Sequence, residues 1–259
     1  MTNRQKIKDM IRHLIYRLPR VHPIYLAARE YAYHFQGDNN SEFQFNGEKR
    51  LLHDVLSQRP NAVVFDVGAN RGNWTQEALR VNPRATIHCF EPALTTFSQL
   101  TARGFPSSVI CNRLALGETP GQVNFFVHTD SRISSIYSGY IERAADHVEH
   151  VAITTIDRYC AEKKIDRIDL LKIDAEGHDL AVIKGAREML SHKRIDFVQF
   201  EYGTYWILSK TFLRDAFAFI AEYDYDVFKI MPGGLMPVPT YRFDLELFRV
   251  SNYLLKARR

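Results

Sequence analysis

The stretch Val63 to Leu79, VVFDVGANRGNWTQEAL, constrains the fold more than any other part of the chain. Val63, Val64, Phe65 and Val67 form a short apolar run of buried-strand character, interrupted only by Asp66. The glycines of GANRG, Gly68 and Gly72, mark points where the backbone turns tightly or approaches a ligand closely. Asn73 and Gln76 read as N-cap and capping partner of a helix over Trp74 to Arg80. Strand, glycine turn and helix make the first unit of a doubly wound α/β sheet. The helix start offers unpaired N–H groups and a positive dipole end to an anion.

The rest of the core keeps the alternation of an α/β fold. Strands are expected at Thr86 to Phe90, Val109 to Cys111, Val123 to Val127, Val148 to Thr154, Ile168 to Asp174 and Ile195 to Glu201. Helices are expected over Glu48 to Gln58, Leu94 to Ala102, Thr155 to Lys163, Asp179 to Leu190 and Thr211 to Glu222. Between two β segments lies HTDSRISSIYSGYIERAADH, a polar stretch too long for a simple connector and therefore a lid or binding segment. Tyr225 to Met231 and Tyr241 to Val250, joined by PGG, read as two strands that add an antiparallel hairpin. Dinucleotide-binding sheets usually lack such a hairpin.

With 259 residues, one core domain with an extension is expected, divided as an N-terminal helical extension over 1–50 and a catalytic-type domain over 51–259. Ile7, Met10, Ile11, Leu14, Ile15 and Leu18 follow amphipathic helical spacing, ended by Pro19 and Pro23, with a second aromatic-rich helix over Ile24 to Phe35. Residues 1–35 hold seven Lys and Arg against two acids, so the positive balance sits in this arm. The arm is expected to pack on the core, to mediate homo-oligomerisation, or to make peripheral contact with an anionic membrane. A near-neutral body argues against a nucleic-acid partner. Cys89, Cys111 and Cys160 are odd in number and widely spaced, which fits a reducing, cytoplasmic setting, and no apolar run reaches membrane-spanning length.

Asp66, Gly68, Asn70 and Gly72 are the first candidates for a cofactor site. Asn70 stands where the dinucleotide fingerprint requires its second glycine, which disfavours a nicotinamide-dependent oxidoreductase. Asp66 suits a ligand carrying an ammonium. Glu91 in CFEP ends the second strand about 20 residues beyond the glycine turn, the place for a carboxylate that accepts both ribose hydroxyls.

The motifs DVGANRGNWT, CFEP, NRLALG, TTID and LLKIDAEGHD, in this order over Val63 to Glu201, resemble the FkbM family of S-adenosylmethionine-dependent methyltransferases. Ala175 replaces the valine usual in the family's KIDVEG. The resemblance implies a Rossmann-like, mostly parallel sheet of the class I methyltransferase type with a C-terminal antiparallel hairpin strand. It implies O-methylation of a hydroxyl on a sugar, glycan or natural product. It places Asp66, Gly68 and Asn70 along the methionine part of S-adenosylmethionine, Glu91 on the ribose, and Asn112, Ala115 and Leu116 near adenine. The ligand's chemistry agrees: an ammonium for Asp66, a carboxylate for the Gly72–Asn73 helix start, and adenine for Phe90 and Leu116.

Lys172 and Asp174 project to one face of their strand at the carboxyl edge of the sheet, with Glu176, Gly177 and His178 at the following bend. Lys172 needs an acidic partner inside an apolar strand, either structurally or through a substrate. Glu201 ends the adjacent strand, so Asp174, Glu176, His178 and Glu201 are expected in one cleft. A sugar hydroxyl has a pKa of about 16, near that of water, and needs a base or a metal. Asp174, Glu176 or His178 takes the proton directly, or Asp174 and Glu201 hold Mg2+ or another divalent cation. Ser131, Ser134, Ser135 and Tyr137 are candidates for bonding a polyhydroxylated acceptor, and Tyr202, Tyr205 and Trp206 for a sugar-stacking wall. A nucleoside-binding module without turnover is the non-enzymatic alternative.

Overall fold

The computed structural model describes residues 3–17, 21–38, 40–138 and 145–259. The chain divides into two compact units, Met1–Gln36 and Gly37–Arg259, so the division falls before residue 50. The first unit contains α1 (Asn3–Arg17) and α2 (His22–Gln36). Leu18, expected on the apolar face of the first helix, and Pro19, expected to end it, lie outside the described residues, as do residues 139–144 of the polar segment.

The second unit runs α3 (Glu48–Leu56), β1 (Val63–Val67), α4 (Asn73–Val81), β2 (Thr86–Phe90), α5 (Leu94–Thr101), β3 (Val109–Asn112), β4 (Ala115–Leu116), β5 (Gly121–Val127) and β6 (His147–Thr154). It continues α6 (Ile156–Lys163), β7 (Ile168–Ile173), α7 (Asp179–Lys184), α8 (Arg187–Ser191), β8 (Ile195–Tyr202), α9 (Leu213–Ile220), β9 (Tyr225–Met231), β10 (Gly234–Pro237) and β11 (Ser251–Ala257). Eight strands form one sheet in the order β10-β9-β11-β8-β7-β1-β2-β3. From β3 to β8 all pairings are parallel, and β11 enters antiparallel between β8 and β9. The strand order reverses between β1 and β7, where open α/β sheets bind ligands at the carboxyl ends of their strands.

Strand alternation divides the core between the two faces. Phe65, Val67, Leu171, Ile173 and Val198 pack with Tyr159, Leu180, Met189 and Phe217 of the helices after β6. Val64, Leu170, Ile87 and Leu254 pack with Leu52, Ala78 and Leu100 of α3, α4 and α5. A small second sheet, β4-β6-β5, stands beside the carboxyl edge.

Three local expectations are corrected. Gly72, at φ +76°, is the N-cap of α4; Asn73 begins the helix and its side chain accepts from Arg103. The helix expected over Asp179 to Leu190 is broken at Gly185, where a Cβ would come within 2.1 Å of the Gly117 carbonyl oxygen. Tyr241 to Val250 is irregular except for a 3₁₀ turn at Phe243–Leu245; the strand that enters the sheet is β11, and β9 makes its hairpin with β10.

Candidate active site

Three adjoining cavities open at the carboxyl edge. The first is lined by Phe90, Glu91, Ala115, Leu116, Phe125 and Ile136, with Gly68, Asn70 and His178. The second runs along the glycine turn and α4, past Arg71, Asn73 and Trp74 to Lys172. The third, a wide cleft, carries Glu48, Trp74, Arg103, Lys172, Glu176, Glu201 and Tyr205. Asp174 and Arg132 line all three, so they mark the junction.

The glycine turn is built for close approach. Gly68 holds φ +73°, and a Cβ there would lie 1.9 Å from the Asp174 carbonyl oxygen, so glycine alone lets the β1 and β7 ends meet. Asn70 adopts φ +48°, a region asparagine tolerates better than most residues. Its N–H donates to Glu91 Oε2 at 3.0 Å, and the Ala93 N–H donates to Oε1 at 3.0 Å. These two bonds fix the Glu91 carboxyl against the first cavity. Its burial raises the pKa to about 7, against the pull of those N–H groups.

The polar segment supplies the third wall through protein contacts. Ser131 Oγ donates to Asn70 Oδ1 at 3.0 Å, Ser135 Oγ donates to the Glu176 carbonyl at 2.9 Å, and Tyr137 Oη lies 2.8 Å from His178 Nδ1. Ser134 Oγ accepts from the His128 N–H. These groups therefore tie the segment to the β1 and β7 loops. Of the aromatic group expected at the end of β8, Tyr205 lines the wide cleft, whereas Tyr202 and Trp206 are core residues. Trp206 Nε1 donates to the Glu201 carbonyl and Tyr202 Oη donates to Glu246.

Of the eight expected cofactor residues, Gly68, Asn70, Glu91, Ala115 and Leu116 line the first cavity; Asp66, Gly72 and Asn112 stand behind it. Asp66 is fully buried, accepts from Thr75 Oγ1 at 2.7 Å and lies 3.1 Å from Lys172 Nζ. Its charge is thus matched inside the protein and not offered to an ammonium. Gly72 faces Leu100 and Phe105, either of which a Cβ would strike. Asn112 donates to the Cys89 and Ile110 carbonyls and accepts from Tyr159. No sequence signal named Phe125 or Ile136; both come from segments whose place beside the sheet is set by the second sheet.

Lys172 bridges Asp66 and Asp174, whose Oδ2 is 3.4 Å from Nζ. Burial alone would lower the Lys172 pKa, but the two facing carboxylates outweigh it and raise the pKa. Glu176 and Glu201 are both pushed well above the ordinary carboxyl range, first by burial and then by Asp174 and the other acids of the cleft. Glu176 also holds φ +49° and keeps a buried Oε2 with no hydrogen-bond partner among the described residues, two costly features concentrated in one residue. His178 lines the first cavity with Asp174 and Glu176 but is absent from the wide cleft that holds Glu201; it lies against Tyr137 and Gly117, and its burial lowers the pKa to about 4. Asp174 and Glu201, the two candidate metal ligands, both line the wide cleft. Among the described residues no group of three or more His, Cys, Asp or Glu is arranged to hold an ion, and the Lys172 ammonium supplies the positive charge beside Asp174.

Residues 66–227 match the methyltransferase FkbM domain. The chain belongs to the FkbM methyltransferase family. Its similarity to curated FkbM-type relatives is moderate. It is 25% identical over 162 residues to the 2-O-methyltransferase NoeI of Sinorhizobium fredii, covering 57% of this chain and 66% of that protein. It is 26% identical over 160 residues to the hexuronic acid methyltransferase AglP of Haloferax volcanii, covering 61% and 64%. It is 27% identical over 170 residues to the 31-O-demethyl-FK506 methyltransferase FkbM of Streptomyces tacrolimicus, covering 54% and 65%. The chain thus spans about two thirds of the length of these relatives. Family membership sets aside the nicotinamide reading.

Proposed function

We propose that this FkbM-family chain transfers a methyl group from S-adenosylmethionine to a hydroxyl of a sugar, glycan or natural product. The observation that carries the reading is the junction at Asp174 and Arg132. There the cavity beside Glu91 meets the wide cleft, which is lined by hydrogen-bonding side chains.

The residues present fit the cofactor. Glu91 offers its fixed carboxyl to the ribose hydroxyls, and Phe90, Ala115, Leu116, Phe125 and Ile136 give adenine an apolar slot, with His178 at its edge. The start of α4 faces the methionine carboxylate. Asp174, which lines the second cavity, takes the ammonium role expected of Asp66. When bound, S-adenosylmethionine supplies a sulfonium methyl open to in-line displacement by oxygen.

Glu176 accepts the acceptor hydroxyl's proton. It lines both the cofactor cavity and the wide cleft, and burial raises its pKa above the ordinary carboxyl range, which makes it a stronger base once ionised. Lys172, Asp66 and Asp174 form a fixed charge row beneath it. AglP is named for a hexuronic acid, FkbM for 31-O-demethyl-FK506 and NoeI for 2-O-methylation, which supports the choice of a hydroxyl on a sugar or natural product. The basic amphipathic helix α1 serves as a contact for a second copy or an anionic membrane surface. No helix among the described residues is long and apolar enough to span a membrane.

The test is single-turnover transfer from methyl-labelled S-adenosylmethionine to cell-derived glycans and small hydroxylated metabolites. Label is expected in a methyl ether stable to mild base. Cofactor binding without transfer to any hydroxyl would leave the binding-module reading instead.

A further inference from the structure

The cations of the wide cleft are not equivalent. Lys172 faces Asp66 and Asp174, Arg80 faces Glu77, and Arg132 faces Asp130. Arg103 has no carboxylate within ion-pair distance among the described residues. Its guanidinium is nevertheless held in place. Nη1 donates to the Arg71 carbonyl at 3.0 Å and to Asn73 Oδ1 at 2.8 Å, Nη2 donates to Gln76 Oε1 at 3.3 Å, and the group lies 5.4 Å from the Phe105 ring centre. All three acceptors are neutral. These bonds use three of the five N–H groups, leaving Nε–H and one Nη2–H.

Arg103 is exposed and lines the wide cleft, so its two remaining N–H groups are open to a ligand there. Asn73 is the first residue of α4, so Arg103 adds a full positive charge to the positive end of a helix dipole. The cleft contains more acids than bases; Glu77, Asp130 and Asp174 face Arg80, Arg132 and Lys172, and burial raises the pKa values of Glu48, Glu176 and Glu201. Glu42 also has no ion-pair partner among the described residues, and it is exposed.

We propose that Arg103 binds an anionic substituent on the acceptor, a carboxylate or an acid ester, and so selects acidic sugars over neutral ones. Guanidinium is the group suited to planar, paired contact with such anions, and bonds to ionised partners are the stronger ones. Asn73 lines both the cleft and the methionine end of the cofactor path, so an acceptor anchored at Arg103 reaches toward the junction. Arg103 is a specificity residue in this reading, which rests on the methyltransferase assignment.

The experiment loads the full chain with S-adenosylhomocysteine and titrates it with methyl β-D-glucuronide and methyl β-D-glucoside, reading binding by NMR. The glucuronide is expected to bind at least tenfold more tightly, with a preference that shrinks as salt rises. Arg103→Gln removes the preference, and Arg103→Lys retains part of it. If Arg103→Gln fails to fold, the lysine variant still has to show a reduced preference. No binding of the glucuronide, equal binding of the two sugars, or a preference unchanged in the variants would overturn the proposal. Calorimetry with S-adenosylhomocysteine on the same proteins separates the two readings. Absence of that binding in the wild type defeats the methyltransferase assignment, whereas unchanged cofactor binding with no sugar preference defeats only the role of Arg103.

Discussion

Glu176 combines a left-handed backbone, a buried unpartnered oxygen and a raised pKa, and each is a cost that a purely structural glutamate would shed. Glu176→Gln keeps the size and loses the base. It is expected to lower kcat by about 10²-fold or more, with cofactor affinity unchanged by calorimetry. The wild-type rate should rise with pH through the elevated Glu176 pKa, and a flat profile would remove the residue from this role. Glu91 gives a second test. Its folded pKa of about 7 lies above its ordinary 4.5, so the stability it contributes is full below about 4.5 and is lost as pH rises through about 7. Relative to Glu91→Gln, wild-type unfolding free energy is expected to fall by about 3 kcal/mol across that window in urea titrations of the free protein. Glu91 was legible because it closes a strand at a fixed distance from the glycine turn. Asp66 was misread because motif position says nothing of side-chain direction. Strand alternation turns it onto the α4 face, where Thr75 and Lys172 meet it.

At the level of strands, Asp66 and Lys172 are register partners across β1 and β7, so their ion pair ties the two strands that flank the switch point. Removing one partner leaves a buried charge. Lys172→Met is expected to destabilise by about 3–5 kcal/mol, and the double variant with Asp66→Asn to regain much of that. Additive losses in denaturant titrations would mean the two groups are not coupled. The parallel strands were readable because buried runs bounded by turn residues are distinctive. The C-terminal end was not, since YRFDLELFRV alternates like a strand yet lies outside the sheet, and SNYLLKA fills the slot between β8 and β9. The break at Gly185 was also hidden, because its cause is a backbone contact with Gly117, distant in sequence.

For the molecule as a whole, the family match covers residues 66–227, and the strand order reverses between β1 and β7, the point where open α/β sheets bind ligands. With an ammonium instead of a metal beside Asp174, turnover is expected to survive excess EDTA, and loss of activity restored by Mg2+ would reopen the metal route. The central claim is that the cavity beside Glu91 holds a methyl donor's nucleoside. Calorimetric titration of S-adenosylmethionine and NAD into the wild type and Glu91→Ala tests it most directly. One molecule of S-adenosylmethionine should bind per chain, at least tenfold more weakly to the variant, while NAD produces no saturable heat. Binding of NAD in its place, or equal affinity of S-adenosylmethionine for both proteins, would contradict the account.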